Sequence, residues 1–128
     1  MWSNDNIDLL KGLTVKTIDA FEGGGDIMIT TNCGRQFRFT HFQDCCEHVD
    51  IYSIDGDLKR LEGFRLVDVQ METVDEPEGW ADSDEAKWAD SYTFTDVVFK
   101  TNAQTICVKW FGESNGYYSE GVDFEELK

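Results

Sequence analysis

HFQDCCEHVD, residues 41–50, places two cysteines, two histidines and three acids within ten positions. In a helix, His41, Cys45 and His48 stand at i, i+4 and i+7 and share one face. Those are donor types that a tetrahedral zinc site takes. Cys46 would point about 100° away on the same helix, so Cys33 or Asp44 would have to supply a fourth ligand. A second chemistry is nucleophilic, with Cys45 or Cys46 paired to His41 or His48 as thiolate and imidazole. Asp44, Glu47 and Asp50 oppose it, because negative neighbours raise a thiol pKa. The third reading is a packed polar turn in which a cysteine serves as a small buried hydrophobe. The expected state is no cofactor, with zinc as the alternative.

Two further stretches carry polar groups suited to recognition. GESNGYYSEGV, residues 112–122, sets Tyr117 and Tyr118 beside the tight-turn pair Asn115-Gly116. Tyrosine offers large contact area at low entropic cost, although a hairpin corner with one buried tyrosine fits equally. Residues 75–90, DEPEGWADSDEAKWAD, hold Asp75, Glu76, Glu78, Asp82, Asp84, Glu85 and Asp90 against one lysine. A connection of this length suits a functional loop. Trp80 and Trp88 are costly to expose, so at least one is expected to pack on a sheet.

These segments need a scaffold, and the scaffold reads as β. A chain of 128 residues, 41% hydrophobic, suffices for one domain with a real core. Strands are expected over 13–21, 26–31, 35–42, 49–54, 64–74, 91–101 and 105–112, the last two as a hairpin. From Val67 the apolar residues alternate, but Phe64 and Leu66 fall on the polar side. Either that end is covered on both faces or a bulge near Leu66 switches the inner face. Residues 6–13 and 56–63 read as short helical segments, and the tail as a short acidic segment. The predicted class is α+β and mostly antiparallel: a bent sheet or small sandwich of six to seven strands with one or two short helices.

The global chemistry narrows function. Twenty-six acids against 11 Lys and Arg give a net charge of -15, a field that repels phosphate backbones and attracts basic partners. Direct nucleic-acid binding is therefore not expected. No apolar run is long enough to span a membrane, and MWSNDNIDLL lacks the layout of a secretory signal, so a cytoplasmic protein with four reduced cysteines is expected. No Walker loop, dinucleotide fingerprint or GxSxG elbow occurs, and the chain is not expected to be an enzyme.

The His-x-x-Asp-Cys-Cys-Glu run at 41–47, the Gly56-Asp57-Leu58 turn and the Ser114-Asn115-Gly116-Tyr117-Tyr118-Ser119 element resemble a family of small uncharacterised proteins found in bacteriophages and prophages. The resemblance covers about residues 13–124 and implies a viral origin and a host-cell cytoplasm, with no established activity. Charge and this resemblance together suggest an interaction protein for counter-defence or host takeover. It would bind and inhibit a basic host protein such as a nuclease, with carboxylates of 75–90 and 120–126 standing where the target expects phosphates. One alternative is sequestration of a small signalling nucleotide by Arg35, Arg38 and Tyr117 or Tyr118, although on a strand Arg35 and Arg38 face opposite sides. The other is a zinc- or thiol-dependent enzyme centred on His41, Cys45, Cys46 and His48.

Overall fold

The computed structural model describes residues 6–43, 45–80, 91–116 and 119–127. Eight strands run β1 (Val15–Asp19), β2 (Asp26–Thr31), β3 (Gln36–Thr40), β4 (His48–Asp55), β5 (Asp68–Val74), β6 (Ser91–Lys100), β7 (Thr105–Ser114) and β8 (Asp123–Leu127). They form two four-stranded antiparallel sheets, ordered β1-β2-β3-β8 and β4-β7-β6-β5.

Period-two alternation accounts for both inner faces. In the first sheet Ile27, Ile29, Phe37, Phe39 and Phe124 are closed to solvent; in the second, Ile51, Val97, Phe99 and Val108 are. All belong to one apolar cluster. Phe39 of the first sheet meets Phe99 of the second edge-on, with ring centroids 5.7 Å apart. Two sheets packed face to face in this way make a sandwich.

The two expected helices are not α-helices. Each is a four-residue 3-10 turn, Ile7–Leu10 and Leu58–Leu61, stopped within two residues by Gly12 and Gly63 at positive φ. Segments this short cannot repay helix nucleation. The class is thus all-β rather than α+β, with eight strands among the described residues rather than six or seven. The additional strand is β8, whose DFEEL carries one wholly buried apolar residue, Phe124, among three acids.

The irregularity at Leu66 has a topological cause. Residues 63–66 pair with the chain around β1: the Gly63 amide donates to the Val15 carbonyl (2.7 Å) and the Leu66 amide to the Leu13 carbonyl (2.9 Å). One residue later the Val67 amide donates to the Lys100 carbonyl (2.8 Å), and β5 continues in the second sheet. Leu66 and Val69, three apart, are both buried while Val67 is exposed. The inner face switches where the chain changes sheet.

Candidate functional site

The stretch after β3 and the stretch before β8, far apart in sequence, are tied together. The His41 Nδ1–H donates to the Gly121 carbonyl (2.8 Å), and the Phe42 amide donates to Asp123 Oδ2 (2.7 Å). His41 Nε2 lies 2.7 Å from Glu47 Oε2, with the two side chains 4% and 0% exposed. Glu47 Oε1 accepts the Cys45 amide (2.9 Å) and the Gln43 side-chain amide (3.3 Å). The carbonyl of Gly121 can only accept, so in that hydrogen bond the ring nitrogen is the donor.

Beside it, the buried Glu120 accepts from Ser114 Oγ (2.5 Å) and Thr93 Oγ1 (2.8 Å). A Cβ on Gly112 would collide with the Glu120 carbonyl, so only glycine allows β7 and this segment to approach so closely. These carboxylates and the imidazole are satisfied and shut away from solvent. Such a cluster fastens loops and offers no access for substrate.

The other residues of the expected metal site lie elsewhere. Residues 45 and 46 form a bend rather than a helix, and β4 begins at His48, so no helical face gathers His41, Cys45 and His48. His48 is exposed and engages Asp50 (2.9 Å), opposite Glu113 of β7. Cys45 and Cys46 are exposed and joined as a vicinal disulfide, which corrects the expectation of four free thiols: the bend brings their sulfurs to one side. Among the described residues no three His, Cys, Asp or Glu side chains converge as a metal site. Asp44 lies outside the described residues.

Cys33 and Cys107 remain as thiols. A hydrogen bond with Thr31 holds the exposed Cys33 below the usual thiol range. Burial, then the Asp96 carboxylate, pushes Cys107 up to about 11.

The tail acids are also engaged. Arg35 donates to both carboxylate oxygens of Glu126 (3.0 and 2.8 Å) and lies over the Phe37 ring. Arg38 is ion-paired with Glu125. The arginines do sit on opposite faces, as strand alternation requires, and each is neutralised by β8. Both arginines named for phosphate binding are thus engaged by carboxylates of β8. Residues 120–126 form strand and clamp in place of a free acidic surface.

The outer face of the second sheet is different. Phe94 of β6 and Phe111 of β7 are cross-strand partners pointing away from the core, with ring centroids 5.2 Å apart. Trp80 packs on them and on Tyr92, with centroids 5.3, 5.6 and 4.2 Å away, and Tyr52 of β4 joins Phe94 at 5.7 Å. The expected tryptophan packing is met by Trp80; Trp88 lies outside the described residues.

Strand alternation puts Asp50, Asp55, Glu72, Asp96 and Glu113 on this same face, and the chain from Asp75 to Glu78 follows β5. Among the described residues, Asp55, Glu72, Asp75, Glu76, Glu78, Asp96 and Glu113 form no ion pair with a basic side chain. Of the expected binding residues, Asp75, Glu76 and Glu78 border this face. Asn115 sits in the turn after β7, and Asp82, Asp84, Glu85, Asp90, Tyr117 and Tyr118 lie outside the described residues. The aromatic patch itself was missed, although its signal is present: β6 carries apolar residues on both faces, Phe94 and Val98 opposite Val97 and Phe99.

Among the described residues no helix is long and apolar enough to cross a membrane. No curated protein and no solved structure matches the chain. The model of one family, a domain of unknown function (DUF7448), matches residues 9–124. That span takes in β1 through β7 and the clamp residues up to Phe124, and the chain belongs to this family.

Proposed function

We propose that this protein is an interaction module that binds a basic protein through the outer face of its second sheet. One contrast carries the reading. The first sheet matches its arginines with carboxylates, Arg35 with Glu126 and Arg38 with Glu125, whereas on the second sheet's outer face Asp55, Glu72, Asp96 and Glu113 stand around an aromatic patch without an ion pair among the described residues. A net charge of -15 then acts most strongly at that face. Aromatic anchors with a charged rim are the usual anatomy of an interface.

The partner class is a nucleic-acid-binding protein or nuclease of a host cell, inhibited when carboxylates occupy its phosphate-binding groove. The charge and the sequence resemblance to phage proteins support that identification and the counter-defence role it entails.

The test is titration against purified basic nucleases and DNA-binding proteins of a bacterial host. A cognate partner should associate roughly tenfold more slowly when salt rises from about 50 to about 300 mM. Neutralising Glu72, Asp75, Glu76 and Glu78 together should abolish inhibition, and Cys45→Ser should leave it unchanged. Inhibition indifferent to both salt and neutralisation rejects the reading.

A further inference from the structure

At one end of the second sheet's outer face, a cavity of about 360 Å³ opens between the end of β5 and the start of β6. Asp75, Glu76, Tyr92 and Phe94 are among the residues that line it. The Tyr92 hydroxyl donates to Glu76 Oε2, which fixes a carboxylate at the edge of an aromatic wall. Trp80 packs against the same tyrosine.

We propose that this cavity is the anchoring pocket for an arginine side chain of the basic partner, an inference that rests on the function proposed above. A guanidinium is flat, weakly hydrated and carries five donors in one plane. It can lie against an aromatic ring while its edge donates to carboxylates, and Tyr92, Asp75 and Glu76 border the cavity. Among the described residues no Lys or Arg lines the cavity: Lys100 and Lys109 sit opposite Asp68 and Asp96, farther along the strands. An ammonium, a strongly hydrated point charge, would use the carboxylates but gain less from the flat walls.

The test is binding of an acetylated hexa-arginine peptide and a hexa-lysine peptide of equal charge, followed by calorimetry at low salt. Wild type should prefer the arginine peptide by about tenfold. Glu76→Gln, an exposed change that keeps the fold, and Tyr92→Leu should each erase that preference. Asp26→Asn, which removes one charge from the first sheet, should retain it. Equal affinity for the two peptides, or a preference that survives Glu76→Gln, overturns the pocket and leaves the broader charged face standing. Failure of both peptides to bind overturns the pocket and the broader reading together. If Tyr92→Leu does not fold, Glu76→Gln decides alone.

Discussion

His41 and Glu47 stand 2.7 Å apart with neither side chain reaching solvent, and through His41 they fasten the loop after β3 to the carbonyl of Gly121. Removing one member of a buried hydrogen-bonded pair leaves the other unsatisfied, at a typical cost of about 1–3 kcal/mol. Glu47→Leu is therefore expected to lower the urea midpoint steeply. His41→Leu combined with Glu47→Leu should recover part of the loss, and a double-mutant cycle measures how much.

Gly112→Ala tests the approach of β7 to the segment before β8. The added methyl would strike a backbone carbonyl that no side-chain rotation can move. A loss of about 2 kcal/mol or more is expected from thermal unfolding. Gly34→Ala is the comparison: a Cβ there meets nothing, and its cost comes only from the positive φ of 87°.

The two thiols should separate by reactivity. At pH 8, Cys33 is expected to react readily with iodoacetamide, being exposed and held below the usual range. Cys107, pushed up to about 11, has roughly one thiolate in a thousand molecules at that pH. Its labelling rate should climb about tenfold per pH unit until it levels near its pKa. Mass spectrometry of a pH series checks both, and equal labelling of the two at pH 8 contradicts the environments described.

Trp80→Ala should reduce stability by about 1–3 kcal/mol and uncover Phe94 and Phe111. Increased binding of a hydrophobic dye to the folded variant is the expected readout. An unchanged signal would mean that Trp80 does not cover the patch.

Most strands were legible because one face of each is buried, and burial imprints period two on residues such as Ile27 and Ile29 or Val97 and Phe99. The exceptions share a cause. β8 binds through backbone and ion pairs to distant Arg35 and Arg38, so its own sequence reads as a charged tail. Leu66 and Val69 fall out of phase because the chain leaves one sheet for the other between them. The crowded stretch at 41–50 was visible, but its meaning depends on partners about eighty positions away: His41 reaches Gly121 and Phe42 reaches Asp123. Spacing within the segment suggested a shared face that a bend and a strand do not form.

The pairing of β3 with β8 also sets a timetable for synthesis. Arg35 and its partner Glu126 are 91 positions apart, so during translation the first sheet waits with an open edge at β3 until β8 has left the ribosome. Through that interval Phe37 and Phe39 lack Phe124, and the free backbone groups of β3 are open to pairing with another nascent chain.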